Sequence, residues 1–156
     1  MRHFKYVLVA AALLMAGCSS LNPFAAKPKN SPAALVSFKP TMAVRTLWSV
    51  NIGKAGDYHL KPIFSDGRLY AANQSGEVMC IDPSNGTIIW KIKTGMSLSA
   101  GVGADAGTVV VTGADGTVQA LDAANGQTRW KFQASTEILS APAVGSGTVV
   151  VRSVDN

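Results

Sequence analysis

The chain has 156 residues, of which 47% are hydrophobic and 15% charged, so it can bury the core of one ordinary domain. Its net charge of +5 is unevenly distributed. Residues 1–45 carry six Lys or Arg and no acid, whereas residues 46–156 carry eight Lys or Arg against nine Asp or Glu. The second part is therefore close to neutral and has no basic stripe, which argues against nucleic acid as a partner.

The N-terminus has the pattern of a targeting segment. A basic start with Arg2 and Lys5 is followed by an unbroken apolar run over residues 7–16. That run is too short for a helix that spans a bilayer but fits a signal peptide. Met15-Ala16-Gly17-Cys18 resembles the bacterial lipobox, with Met where Leu is usual. We therefore predict a signal peptide over residues 1–17 and lipidation at Cys18; the alternative is an ordinary signal peptide with an incidental cysteine. Ser19 instead of Asp favours the outer membrane.

Residues 18–45 have the composition of a lipidated, proline-rich tether. They contain four of the seven prolines, Pro23, Pro28, Pro32 and Pro40. Proline lacks a backbone donor and opposes regular structure. A flexible coil of this length spans roughly 30 Å. The tether is either a passive spacer or a segment that its positive charge draws toward anionic lipid.

From residue 46 onward the chain repeats itself. Related stretches begin at Gly67, Gly107 and Gly147, so the offset is 40 residues both times. Gly, Asn-Gly and Trp recur at fixed places in the first two stretches, and a Trp also ends an earlier, partial copy. The identical pairs are Gly67/Gly107, Gly76/Gly116, Val78/Val118, Asp82/Asp122, Asn85/Asn125, Gly86/Gly126, Trp90/Trp130 and Lys91/Lys131.

Each repeat predicts four short strands, with residues 140–144, 108–112, 117–121 and 128–132 as examples of the four. They are rich in Val, Thr and aromatic residues and are separated by turn residues such as Ser75-Gly76 and Asp115-Gly116, which fit two-residue hairpin turns. No helical periodicity appears after the signal segment.

A 40-residue, four-stranded repeat is typical of a β-propeller blade. We therefore predict an all-β fold, a partial propeller over residues 46–156. It contains two full blades of four antiparallel strands (60–93 and 99–133) and a half blade (139–156). Residues 46–52 are predicted to be the last strand of a blade that closes the ring.

The repeated side chains predict how blades pack. Trp48, Trp90 and Trp130 are expected to fill the gaps between blades, and ligand stacking is the alternative. Asp82 and Asp122 precede turns, where an Asp side chain caps backbone N–H groups. Gly86 and Gly126 occupy turn positions that require positive φ.

The pattern apolar-Asp-x-x-Asn-Gly-x-x-x-Trp, at residues 81–90 and 121–130, resembles the tryptophan-docking repeat of quinoprotein-like eight-bladed propellers. Together with the lipobox and tether, the chain resembles the BamB (YfgL) family of lipoproteins. The resemblance implies a non-enzymatic scaffold in the outer-membrane β-barrel assembly (BAM) complex, lipid-anchored to the outer membrane and facing the periplasm. It implies binding to the POTRA domains of a BamA-type insertase, alongside other assembly-machinery lipoproteins. The family's partner-contacting loops lie mainly beyond residue 156, so no contact residue carries over.

The repeats also predict that the sequence is incomplete. Two blades are full, and a third stops at Asp155-Asn156, in the turn where the previous repeat has Asp115-Gly116. Eight blades at this period need on the order of 320 residues. We interpret the chain as the N-terminal fragment of a longer propeller, which is expected to leave apolar faces bare and to aggregate.

Two other functions stay open at this point: a periplasmic quinoprotein-type (PQQ-like) enzyme and an envelope propeller that binds some other ligand. No cofactor or metal site is predicted. Cys80 stands alone on a predicted strand and is expected to be a small buried hydrophobe. His59 is expected on the surface. Residues 101–107 have GxGxxxG spacing and precede a strand, which excludes a dinucleotide loop.

Overall fold

The computed structural model describes residues 32–155, and the chain divides into a unit Met1–Ala43 and a unit Val44–Asn156. In the first unit, residues 32–43 contain no helix or strand, and all of them are exposed. The predicted signal peptide, Cys18 and the first part of the tether lie outside the described residues. No helix in the described part has the length and apolar character that crossing a bilayer requires.

Within residues 44–155 the structure is all-β, with ten antiparallel strands and no helix, which confirms the predicted fold class. Two sheets have four strands in sequence order, and a third has two strands. The first sheet, blade 1, consists of β1 (Ile63–Ser65), β2 (Arg68–Ala72), β3 (Glu77–Ile81) and β4 (Ile88–Lys93). Blade 2 consists of β5 (Gly103–Asp105), β6 (Thr108–Thr112), β7 (Thr117–Asp122) and β8 (Thr128–Gln133). The half blade consists of β9 (Ala143–Gly145) and β10 (Thr148–Val150).

The first hairpin of each blade has a two-residue turn. Asp66-Gly67, Ala106-Gly107 and Ser146-Gly147 all have positive φ at both positions, between 45° and 74°. Positive φ at both central residues defines the type I′ turn, whose twist matches that of the flanking strands. These turns hold β1 against β2, β5 against β6 and β9 against β10.

The second hairpins differ from the prediction of two-residue turns at Ser75-Gly76 and Asp115-Gly116. The Gly76 N–H donates to the Asn73 carbonyl at 3.1 Å and the Asn73 N–H donates to the Glu77 carbonyl at 3.0 Å, so three residues form the loop. Glycine is the one loop residue with positive φ, as in a type I turn followed by a bulge. The two-residue prediction was wrong because the dipeptide alone does not reveal the closing pair.

Residues 46–52, predicted to form a strand, have no strand hydrogen bonds in the structure. The described chain provides no neighbouring strand for this segment to pair with. Its side chains nevertheless alternate as a strand's do, because Trp48, Val50 and Ile52 are half-buried and the residues between them are exposed. The segment is therefore an extended stretch that stacks on the face of blade 1.

The first strand of the half blade is also displaced from the prediction. It was expected at residues 140–144 and begins at Ala143 instead. The equivalent strand of blade 2, β5, begins at the equivalent Gly103 without a proline before it, so in both blades pairing extends only three residues back from the type I′ turn.

The core lies between the sheets. One face of blade 1, with Tyr70, Val78 and Cys80, packs against Val109 and other blade 2 residues. The opposite face of blade 1 is covered by residues 48–52. The inner strands approach closely, so that a Cβ at Gly103 would collide with the Pro142 carbonyl. Because the stacked sheets are apolar on both faces, both sides of β6 need apolar residues. This explains its three consecutive valines.

Candidate functional site

The contact that recurs in the candidate site is a tryptophan of one extended segment docked on a turn of the next blade. The Trp48 indole N–H donates to the Pro83 carbonyl at 2.9 Å, and the Trp90 indole N–H donates to the Ala123 carbonyl at 2.9 Å. Both acceptors lie in the turn between the third and fourth strands. Each indole therefore gains an apolar contact and satisfies its one donor, as a buried tryptophan requires.

Glycine lies beneath each docked indole. Gly126 has φ of +75°, and a Cβ at this position would stand 2.9 Å from the Trp90 ring. A Cβ at Gly86 would stand 2.7 Å from the Trp48 ring. Any side chain here would be strained twice, by the left-handed backbone and by the ring above it. Asn-Gly and Trp therefore recur together because they contact each other across two blades.

The aspartates of the motif cap the same turns. Asp82 accepts from the Ser84 N–H at 2.8 Å, and Asp122 accepts from the Ala124 N–H at 2.8 Å. Hydrogen bonds from Ser84 lower the pKa of Asp82, and the Arg129 side chain, 2.8 Å from the carboxylate, is the main cause of the lowered pKa of Asp122. These carboxylates shape the turn and leave it charged at neutral pH.

A second contact, which the sequence did not reveal, ties residues 51–54 to blade 1. The buried Asn73 side chain donates to the Ile52 carbonyl at 2.9 Å and to Glu77 at 2.8 Å. Its oxygen accepts from the Ser75 hydroxyl and the Glu77 N–H. Comparison of the repeats could not indicate this contact of Asn73, because the corresponding residues of the later copies are Gly113 and Ser153.

Trp130 differs from the other two tryptophans. It is 39% exposed. The ring lines an open groove of about 470 Å³ with Val118, Phe132, Val149 and Val151. Trp48 and Trp90 each pack on the turn of a following blade, whereas for Trp130 the filling of a gap between blades stays a prediction. We call this surface the Trp130 groove.

The outer strands of both blades are sheet edges. β4 and β8 are each the last strand of their sheet, and neither has a strand on its outer side in the described part of the chain. All six residues of β8 are exposed, including Phe132 at 59%. A free edge presents N–H and C=O groups that can pair with another strand.

One carboxylate caps the end of the half blade. Asp155 accepts hydrogen bonds from the hydroxyls of Ser135 at 2.9 Å, Thr136 at 2.8 Å and Ser153 at 2.5 Å. These donors lower the pKa of Asp155 to about 2. Asp155 thus links the end of the half blade to the segment that leaves β8.

The remaining candidates lie apart from these contacts. Cys80 is buried in the core, and burial raises the pKa of its thiol. His59 is exposed in the segment before β1. Residues 32–155 contain no cluster of three His, Cys, Asp or Glu side chains suited to a metal ion. Cys18, the predicted lipidation site, lies outside the described residues.

The family model described as outer membrane protein assembly factor BamB matches residues 43–98 and 85–156. The matched ranges cover both blades, the half blade and the segment that carries Trp48.

Curated relatives carry the same description. The BamB of Burkholderia pseudomallei is 37% identical over 105 residues, which are 67% of this chain and 26% of that protein. The BamB of Pseudomonas aeruginosa is 37% identical over 107 residues, 67% of this chain and 27% of that protein. The chain thus spans about a quarter of the length of these relatives.

Solved structures are similar in fold. BamB from Moraxella catarrhalis superimposes with a TM-score of 0.54 and 26% identity, covering 62% of this chain and 30% of that one. The quinohemoprotein alcohol dehydrogenase of Comamonas testosteroni gives a TM-score of 0.57 and 28% identity, covering 67% of this chain and 18% of that one. Structural likeness alone therefore does not separate assembly factors from enzymes, whereas the two relatives named above are both described as assembly factors.

Proposed function

Because the chain belongs to the family of outer membrane protein assembly factor BamB, we propose that it serves as a non-enzymatic scaffold in the assembly of outer-membrane β-barrel proteins. The observation that carries the proposal is the match of the family model to residues 43–98 and 85–156, which include both blades and the half blade. The relatives' printed name gives the process, and the fold gives a rigid surface on which partners can be placed.

The free sheet edges support a scaffold that works through strand contacts. β4 and β8 lie at the outside of their blades and present backbone groups along a strand. An extended segment of a partner can add to such an edge, with main-chain hydrogen bonds providing affinity. The partners that we propose are the POTRA domains of a BamA-type insertase and the other lipoproteins of the same machinery.

Attachment to the outer membrane is part of the proposal. The lipobox around Cys18 supports a lipid anchor, and Ser19 supports retention in the outer membrane, with the propeller in the periplasm. The Cys18→Ala variant should appear as unprocessed or released protein when membranes are fractionated. Unchanged membrane attachment would contradict the anchor.

Affinity purification from detergent-solubilised envelopes tests the scaffold role. The tagged protein should recover a BamA-type insertase, and a tagged outer-membrane lipoprotein of an unrelated family serves as control. Recovery of no insertase, or equal recovery by the control, would contradict the proposal.

A second measurement identifies the contacting strand. A photo-crosslinker in place of exposed Lys131 on β8 should label the partner, whereas one in place of exposed Thr148 on the half blade should label it less. Equal labelling from both positions would show that β8 is not the contact.

The similarity to quinohemoprotein dehydrogenases favours the enzyme as the second candidate, since these share the propeller. Quinone-dependent oxidation of alcohols by the purified protein would support that candidate and contradict the scaffold. We expect none, because the sequence relatives are described as assembly factors and not as dehydrogenases.

A further inference from the structure

The residues that precede the propeller combine exposed apolar side chains with exposed cations. We call residues 32–47 the basic–apolar segment. Leu35 is fully exposed and Phe38 is 79% exposed, and both Lys39 and Arg45 are exposed. The large apolar side chains of this segment that face solvent are Leu35, Val36, Phe38, Met42, Val44 and Leu47. Six such residues within thirteen exceed the scattered apolar residues that any surface carries.

Charge separates this segment from the propeller. Residues 1–56 contain no Asp or Glu, whereas residues 57–156 carry nine acids against seven Lys or Arg. An anionic surface would therefore attract the chain ahead of the propeller and slightly repel the propeller itself. The attraction is strongest within about a Debye length of that surface, near 8 Å at physiological ionic strength.

The combination of side chains matches the interface of a bilayer. Apolar side chains gain by entering the boundary between headgroups and acyl chains, while Lys and Arg remain at the level of the phosphates. Pro32 and Pro40 oppose a helix, so the segment is suited to lie extended on the surface. A purely electrostatic partner would need the cations but would gain nothing from Phe38 or Leu35.

We propose that residues 32–47 bind the surface of a membrane that contains anionic phospholipid. The segment then lies flat on the bilayer and does not extend from it as a free coil. This inference goes beyond the assembly role and does not depend on it, because vesicle binding requires no insertase.

Vesicle binding tests the proposal. The probe is the processed chain from residue 18 onward, with Cys18→Ser so that no acyl group contributes, and with an environment-sensitive fluorophore on exposed Ser37→Cys, which leaves Phe38 in place. Cys80 is buried and is not expected to compete for labelling. Vesicles of phosphatidylethanolamine and phosphatidylglycerol should shift the emission to the blue, and phosphatidylcholine vesicles should not. A fluorophore on exposed Gln127→Cys of blade 2 should report no shift with either.

Charge variants decide the mechanism. Lys39→Gln and Arg45→Gln should each weaken binding about five-fold. The matched control neutralises one exposed Lys and one exposed Arg of the propeller, Lys61 and Arg152, and should not weaken binding. Phe38→Ser, with the fluorophore kept at residue 37, should also weaken binding.

Three outcomes would overturn the proposal: no shift with anionic vesicles, an equal shift with zwitterionic vesicles, or equal loss of binding in both sets of charge variants. A photo-crosslinker at residue 38 that labels a protein and not lipid in intact envelopes would overturn it as well. Failure here would leave insertase recovery unaffected, so the two proposals can be judged separately.

Discussion

Single residues at the blade junctions determine how closely the sheets stack. Gly126 is the clearest case, because its left-handed backbone and the Trp90 ring 2.9 Å from an added Cβ both demand glycine. Gly67 has a similar φ of +73° but faces open space. The two positions therefore separate backbone strain from collision.

Gly126→Ala should destabilise the fold by about 2–4 kcal/mol, since strain and overpacking add. Gly67→Ala should cost only about 1 kcal/mol, from strain alone. Urea unfolding followed by circular dichroism measures both. Equal losses at the two positions would show that the indole contact is unimportant.

The two kinds of tryptophan predict a second difference. Trp90→Phe removes the hydrogen bond to the Ala123 carbonyl and should cost about 1–2 kcal/mol more than Trp130→Phe. The same unfolding experiment checks it. A larger loss of unfolding free energy for Trp130→Phe would mean that the Trp130 indole contributes more packing energy than its exposure indicates.

Asp155 makes stability depend on pH. Its pKa is lowered to about 2 in the folded chain, below the ordinary value of 3.8, because three hydroxyls donate to the carboxylate. Its contribution is therefore complete above pH 3.8 and is lost as the pH falls through 2. Asp155→Asn should lower the melting temperature at pH 6, with a difference from the parent chain that shrinks toward pH 2. Asp57→Asn serves as the exposed control; a constant difference for Asp155→Asn would contradict the assignment.

At the scale of elements, the order of strands followed from the sequence because a 40-residue offset repeats their apolar patterns. The strand β6 carries Val and Thr over its whole length and β7 lies between two glycine-containing turns, and both were located to within a residue. The inner strand β9 has only three residues, too few for a clear alternation, so its start was misplaced. Pairing of residues 46–52 could not be predicted, because a strand assignment depends on a neighbour that a local pattern does not show.

The Asn73 contact belongs to this scale because it joins two segments. Asn73→Ala should cost about 1–3 kcal/mol, since it leaves the half-buried Ile52 carbonyl and Glu77 N–H without their partner. It should also loosen residues 48–52, which acrylamide quenching of Trp48 in a Trp90→Phe, Trp130→Phe background would detect. Asn51→Ala removes only the bond to the Gly53 N–H and is the matched control. Equal quenching in both variants would contradict the role of Asn73.

At the scale of the molecule, the described chain buries one blade junction fully and leaves another half open. Blade 1 packs on blade 2 and on residues 48–52, whereas the outer half of blade 2 faces the Trp130 groove. The sequence predicted bare apolar faces but could not place them. The position of these faces depends on which indole packs against a turn of another blade. Only the stacked sheets show that packing.

Phe132→Glu should reduce self-association and the binding of a hydrophobic dye, because Phe132 is an exposed wall of the Trp130 groove. The free energy of unfolding should change by about 0.5 kcal/mol or less, as for other surface substitutions. Sedimentation velocity and dye titration measure the effect. Val111→Glu, a change in the buried core, should instead unfold the protein. Unchanged self-association of Phe132→Glu would indicate that another exposed apolar surface mediates it.

The docked tryptophans also impose an order on folding during synthesis. Each indole reaches forward in the chain, by 35 residues from Trp48 to Pro83 and by 33 from Trp90 to Ala123. A newly made blade therefore stays incomplete on one side until the following turn has left the ribosome, and then closes at once. Each blade can then stack on the one before it through a loop closure that is short in sequence. Stacking of successive blades therefore needs no long-range search.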